Sequence, residues 1–228
     1  MPYRFALFDA DNTLLDFSRA EREALSDCLS RRGFRHDAAV TARYAAINDA
    51  QWKHLERGLT TREALQVDRF SILAEEFGFP MDPRSFQTDY IAALSAKAYL
   101  LDGAEELIRT VAGHCRLFLI TNGTAAVQRA RLDACPLTAY FEAVFISEDI
   151  GADKPDRAYF DRVFAAIDGF DPHKALVIGD SLTSDMRGGI AAGVDTCWFD
   201  PFGRPCPDDL PITYTVRTLS DVAPLLLN

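Results

Sequence analysis

The sequence has little that would tie it to a covalent framework, a membrane or a polyanion. Its five cysteines (Cys28, Cys115, Cys135, Cys197 and Cys206) are odd in number, scattered, and without a C-x-x-C pair. That excludes a disulfide framework or a structural zinc site as the organising principle and points to reduced thiols in the cytoplasm. Basic residues are in deficit, 24 Lys and Arg against 34 Asp and Glu, for a formal charge of -10. Nucleic acid polymers and acidic lipid surfaces are held by basic patches, so neither is an expected partner. A small anion in a local pocket stays compatible with this balance. No stretch approaches the ~20 apolar residues of a membrane span, and the first apolar run is too short and too acidic at its end for a signal peptide. Internal repeats are absent, and the four histidines (His36, His54, His114, His173) have no metal-ligand spacing. Gly188-Gly189-Ile190-Ala191-Ala192-Gly193 lacks the dinucleotide-binding spacing and reads instead as close helix packing.

What is present is a sequence of 228 residues, 48% hydrophobic, enough for one sizeable core or two modest ones. Phe5-Ala6-Leu7-Phe8 is a short continuous apolar run, the signature of a strand buried on both faces. From about Phe17 to Lys97 the patterning is only helical, with Ala20, Ala24, Leu25, Cys28 and Leu29, then Leu65, Phe70, Leu73 and Phe77, at helix spacing. Beyond Leu101 strands and helices alternate. Strands are expected at Arg116 to Ile120, Val144 to Ser147, Ala175 to Ile178, Thr196 to Phe199 and, more weakly, Tyr214 to Val216. Helices are expected at Ala104 to Val111, Ala125 to Ala134, Arg157 to Ile167, Ser184 to Ala192 and Val222 to Leu227. Such alternation implies an α/β fold with a mainly parallel, doubly wound sheet. The expected organisation is therefore an α/β core from residues 1-16 and 98-228 with an all-helical cap, 17-97, inserted after the first strand. Pro201 to Pro211 reads as a surface loop.

In open parallel sheets the strand C-termini form the ligand crevice, so the residues that follow each apolar run belong to one candidate site. They are Asp9 and Asp11; Thr121, Asn122 and Gly123; Lys154 and Pro155; and Gly179, Asp180 and, in the turn beyond, Asp185. A hydroxyl, a cation and four carboxylates gathered at one edge suit a divalent metal holding a phosphate. Taken singly, each segment has a plainer explanation: Asp-x-Asp-Asn as a turn, Thr121-Asn122-Gly123 as a helix cap, Lys154 as a solvated lysine, Asp180 and Asp185 as helix N-terminal acids. Their ordered occurrence at successive strand ends outweighs those explanations.

These residues resemble the haloacid dehalogenase superfamily, whose motifs run Asp-x-Asp-x-Thr, Ser/Thr, Lys, then Gly-Asp-x-x-x-x-Asp. The likeness covers the whole chain. It extends to the bacterial non-standard pyrimidine 5'-nucleotidases through Phe8-Asp9-Ala10-Asp11, Ile120-Thr121-Asn122-Gly123, Ile146-Ser147-Glu148-Asp149-Ile150-Gly151, Lys154-Pro155, Gly179-Asp180-Ser181 with Ser184-Asp185, and Ala192-Gly193 followed by Thr196-Cys197-Trp198. Thr124, Asp153 and Asp200 depart from the pattern and bear on substrate contacts. The resemblance implies Mg²⁺ as cofactor, bound by the Asp9 carboxylate, the Asp11 backbone carbonyl and Asp180, with Asp185 holding a bound water or positioning Lys154. It implies Asp9 as nucleophile through an aspartyl-phosphate, Asp11 as general acid and base, and Thr121, Asn122, Gly123 and Lys154 as phosphate ligands. The implied partner is a small-molecule phosphate ester, a nucleoside monophosphate, acted on by a monomer or homodimer.

Other activities share this framework. A dehalogenase has no use for Asp11 and Asp180. A phosphonatase needs a Schiff-base lysine in the cap, where Lys53 and Lys97 lie. A phosphomutase keeps the same core, and a non-catalytic binding protein would not need the intact acids. Specificity is expected in the cap, with Phe17, Asn48 and Trp52 as candidate substrate contacts and Tyr44 and Arg69 as further aromatic and polar groups.

Overall fold

The structure, a computed structural model, describes residues 3–227. Six strands form one sheet: β1 (Phe5–Phe8), β2 (Arg116–Thr121), β3 (Ala143–Ile146), β4 (Ala175–Gly179), β5 (Asp195–Phe199) and β6 (Tyr214–Val216). Their order is β3-β2-β1-β4-β5-β6, and every pairing is parallel. β1 lies between β2 and β4, with Phe8 in register with Leu119 and Ile178. The chain order reverses on the two sides of β1, which is the topological switch point where ligands bind in such sheets.

The alternation of β1 explains its central place. Ala6 and Phe8 enter one buried cluster with Leu117, Leu119, Leu176, Ile178 and Cys197. Phe5 and Leu7 enter the other with Phe118, Ile120, Val177 and Trp198. Successive side chains of a strand point to opposite faces, so an unbroken apolar run fills a core on each side of the sheet.

Two compact units result: Phe17–Tyr99, and the residues before and after it. The helical unit consists of α1 (Phe17–Arg31), α2 (Ala38–Glu56), α3 (Arg62–Phe77) and α4 (Pro83–Ser95). The side chains of Asp37, Thr61 and Asp82 accept backbone N–H groups at the starts of α2, α3 and α4, which satisfies donors left over at a helix N-terminus. Tyr44, Phe70, Phe86 and Tyr90 form its aromatic interior, with ring centroids 4.9 to 5.5 Å apart.

The sheet unit contains α5 (Ala104–Val111), α6 (Ala125–Asp133), α7 (Ser147–Ile150), α8 (Arg157–Ala166), α9 (Arg187–Ala192) and α10 (Ala223–Leu227). Most of these element ends fall within a residue of those the sequence predicts, and three of the differences have a visible cause. Ser147 starts α7 instead of ending β3, because it is buried and its Oγ accepts the Gly123 N–H at 3.1 Å. The expected helix from Ser184 is a π-turn, Leu182–Met186, that runs into α9; the Met186 N–H reaches the Ser181 carbonyl at 3.1 Å. The last helix starts at Ala223 instead of Val222, after a 3₁₀ turn, Leu219–Asp221, closed by a Thr218–Asp221 capping box. Residues 201–211 form turns and contain neither helix nor strand.

Candidate active site

The chain turns sharply after β1. Asn12 takes a left-handed conformation, φ 60°, which asparagine tolerates better than most residues. The turn brings Thr13 back so that its Oγ1 donates to Asp9 Oδ2 at 3.0 Å. Lys154, 1% exposed, reaches the same carboxylate from the segment after α7. Its Nζ donates to Asp9 Oδ1 at 2.7 Å, to Asp185 Oδ1 at 2.6 Å and to the Ile120 carbonyl at 2.9 Å. Three acceptors therefore saturate one buried ammonium.

Asn122 supports that lysine through the backbone. Its Nδ2 donates to the Lys154 carbonyl and its Oδ1 accepts the Lys154 N–H, both at 2.9 Å. The peptide bond that follows, Lys154–Pro155, is cis. Asp185 is fixed by the π-turn, where its Oδ2 accepts the Ser181 N–H at 3.2 Å. Gly179 permits this approach: a Cβ there would lie 2.3 Å from Asp185 Oδ2. Asp180 is held by its carbonyl, which accepts from Trp198 Nε1 at 3.0 Å and from Arg204 at 3.3 Å.

Asp9, Asp180 and Asp185 bring carboxylate oxygens within 4.8 Å of one another. Burial pushes the Asp9 carboxyl up to about 7, with repulsion from Asp185 and Asp11 adding to it and Lys154 opposing it. Burial, then repulsion from Asp9 and Asp185, likewise holds Asp180 well above the ordinary carboxylate range. Burial alone would lower Lys154, but the charges of Asp185 and Asp9 outweigh it and raise the ammonium. Three carboxylates around one lysine leave an excess of negative charge in a low-dielectric place, and they present only hard oxygen donors. That set fits a Mg²⁺ ion, which Asp9 and Asp180 could hold with Asp185 beside them.

Asp11 is not part of this acidic group. Its carboxylate turns to α6, where Arg131 donates to Oδ1 at 2.6 Å and Gln128 Nε2 to Oδ2 at 3.0 Å. The same Gln128 amide donates to Thr121 Oγ1 at 2.7 Å. The Gly123 N–H is taken by Ser147, as above, and the Ala125 N–H at the start of α6 by Glu148 at 2.6 Å. The structure thus brings Asp9, Asp11, Thr121, Asn122, Lys154, Asp180 and Asp185 to the carboxyl ends of β1, β2 and β4 and the loops between them. The sequence motifs contain Thr13 and Ser147 without giving either a role, and they do not single out Gln128 or Arg131. The usable signal for Gln128 and Arg131 was polar residues at i and i+3 on the buried stripe of α6, beside Ala125, Val127 and Leu132.

In the helical unit, Asn48 is 3% exposed. Its Nδ2 donates to Glu21 at 2.7 Å and its Oδ1 accepts from Arg69 at 2.8 Å, while Arg69 also donates to Gln87 at 2.8 Å. Trp52 is half-buried under the Arg62 guanidinium, 5.5 Å from the ring centroid. Phe17 is half-buried at the start of α1. Lys53 pairs with Asp49 at 2.7 Å and Lys97 with Asp27 at 2.9 Å.

A parallel sheet with an acidic crevice around a buried lysine at its switch point defines a hydrolase class, and the chain belongs to the haloacid dehalogenase-like hydrolase family, whose profile matches residues 3–193. It is an enzyme of that family. Over 223 residues it is 37% identical to the pyrimidine 5'-nucleotidase PynA of Streptococcus pneumoniae, covering 97% of this chain and 94% of that one. It is 32% identical to the pyrimidine 5'-nucleotidase YjjG of Escherichia coli, over 99% of both chains. Among solved structures, the magnesium-bound orthorhombic form of the HAD-hydrolase YfnB from Bacillus subtilis superimposes with a TM-score of 0.94, at 37% identity over 99% of each chain.

Proposed function

We propose that the protein is a Mg²⁺-dependent phosphomonoester hydrolase working through an aspartyl-phosphate, and that its substrates are pyrimidine nucleoside 5'-monophosphates. The observation that carries the chemistry is the cluster of Asp9, Asp180 and Asp185 around Lys154. The nucleotide reading is supported by the likeness to the pyrimidine 5'-nucleotidases PynA and YjjG.

Asp9 attacks phosphorus, and the bond to the ester oxygen breaks as the new Asp9–phosphorus bond forms. Asp11 protonates the departing oxygen, then takes a proton from the water that cleaves the aspartyl-phosphate. Thr121 holds a phosphoryl oxygen, and Lys154 takes another with the donor that Asp9 Oδ1 gives up as that carboxylate turns to phosphorus. Gln128 donates to Thr121 Oγ1, which leaves the hydroxyl's own proton free to turn from the Asn122 carbonyl, 3.3 Å away, to a phosphate oxygen. Asn122 acts by holding the Lys154 backbone. Bound Mg²⁺ would neutralise the acidic cluster and the charge developing on the transferred group.

Against a phosphonatase, both lysines of the helical unit are ion-paired, and the Asp27 hydrogen bond raises Lys97, whereas a Schiff-base lysine needs a lowered pKa. Of the residues the sequence assigns to the base, Phe17 and Trp52 keep partly exposed rings, while the Asn48 amide is committed to Glu21 and Arg69.

Phosphate release is the test, with UMP, dTMP, AMP, phosphoglycolate, a sugar phosphate and p-nitrophenyl phosphate, in Mg²⁺ and in excess chelator. Asp9→Asn should abolish turnover of all of them, by at least about a thousand-fold, with the fold intact. Equal rates on UMP, AMP and phosphoglycolate would remove the nucleotidase assignment and leave the phosphatase. Full activity in chelator or in Asp9→Asn would remove both.

A further inference from the structure

Asp11 lies on the turn beyond β1, where a single bridge to Leu15 holds its backbone and leaves its side chain to be placed by other groups. Its carboxylate, 22% exposed, is nevertheless held at both oxygens, each by a different donor from α6. Arg131 is 0% exposed and Gln128 3% exposed, and Arg131 also donates to Gln128 Oε1 at 3.0 Å, so the two side chains act as one rigid support. The support is shared, because the Gln128 amide that reaches Asp11 also reaches Thr121. Gly123 makes room for it: a Cβ there would lie 2.9 Å from Gln128 Cγ.

We propose that Arg131 and Gln128 are positioning residues for Asp11, fixing its carboxylate relative to Thr121 so that a proton passes to and from the ester oxygen in the correct geometry. The proposal rests on the phosphomonoesterase function above and extends it to two residues of α6. Proton transfer requires the carboxyl oxygen within about 2.6–3.2 Å of the leaving oxygen, and a small misplacement of a catalytic group costs rate steeply. An ion pair built only for stability needs a carboxylate opposite Arg131 but has no reason to share a donor with Thr121. The Asp9 carboxylate is held by Thr13 and Lys154, so loss of the α6 residues should fall on proton transfer more than on attack.

The leaving group separates these effects. An alkyl ester such as β-glycerophosphate needs its oxygen protonated as it departs, whereas p-nitrophenolate departs without help. With Mg²⁺ present, Arg131→Met should lower kcat on β-glycerophosphate about ten-fold or more beyond its effect on p-nitrophenyl phosphate. Arg131→Lys, which keeps a charge and a donor, should restore part of the difference. Because removing a buried cation can also unfold the chain, circular dichroism accompanies each variant, and Gln128→Leu provides the same comparison without loss of charge. Equal losses on both esters in every folded variant would overturn the positioning role while leaving the phosphatase in place. A wild type inactive on both esters and on UMP would overturn the phosphatase and this role with it.

Discussion

At the residue scale, the site is held together by an imbalance of charge. Lys154 is shared between Asp9 and Asp185, and Arg204 meets Asp180 at its backbone carbonyl. Burial and repulsion from Asp185 and Asp11 place the Asp9 carboxyl at about 7, against an ordinary 3.8. A carboxyl raised in the folded state binds more protons there than in the unfolded chain between pH ~4 and ~7. Its contribution is thus present at low pH and lost as pH rises through that window. Metal-free wild type should therefore lose stability relative to Asp9→Asn between pH 5 and pH 8, and Mg²⁺ should restore it at pH 8, since metal binding favours the ionised ligands. Thermal melts of both proteins, in chelator and in Mg²⁺, decide this; a metal-free difference that stays flat would show that Asp9 titrates normally. The same scale shows what was legible beforehand. Asp9, Asp180 and Asp185 stand at the ends of apolar runs or in the turn just beyond, and Lys154 follows the short α7 after β3, so the ordered pattern along the chain points to them. Gln128 and Arg131 lie inside a helical stripe, where burial, not spacing, gives them meaning. Asn48 reads from the sequence as a candidate substrate contact, whereas the structure makes it a buried link between Glu21 and Arg69.

At the element scale, two glycines decide how closely the secondary structures approach. α9 packs on α8 through Gly188, where a Cβ would lie 2.3 Å from the Phe160 ring and 3.1 Å from Pro155 Cα. The sequence reading of this glycine run as a close-packing device agrees with that contact. Gly188→Ala adds helix propensity of about 1 kcal/mol, but overpacking of about 1–3 kcal/mol opposes it. Because Pro155 follows Lys154, the strain should reach the lysine. Gly179→Ala places its methyl against the Asp185 carboxylate itself. Both variants should lose activity, with Gly179→Ala losing more activity for its loss of stability; urea unfolding alongside kcat measures each. An alanine at 179 with full activity would show that Asp185 can leave Lys154 without consequence. The strands were legible because continuous apolar runs such as Phe5–Phe8 have few alternatives. The π-turn was not, because a run such as Leu182–Met186 carries no signal for an extra residue per turn; what selects it is the tertiary demand of Lys154 for Asp185.

At the scale of the whole molecule, the chain divides its physics between two units. Every residue placed in the catalytic chemistry, from Asp9 to Asp185, belongs to the sheet unit, and the described carboxylates able to share a metal ion are all there. The helical unit has an interior of its own, with aromatic rings around Tyr44 and Phe70 and a polar chain from Glu21 to Gln87. A ligand that binds only the folded form stabilises what it contacts, and local opening energies differ between cooperative parts of a protein. Mg²⁺ should therefore slow amide hydrogen exchange in β1 and the turn after it, and from β4 through the π-turn, while leaving the interior of α2 and α3 unchanged. Asp180→Ala should abolish the slowing without altering exchange in the helical unit. Hydrogen-exchange mass spectrometry in Mg²⁺ and in chelator reads both regions in one experiment. Equal slowing in the two units would mean that the metal's ligands, or its energetic reach, extend into the four helices, and the assignment of the ion to Asp9, Asp180 and Asp185 would fail.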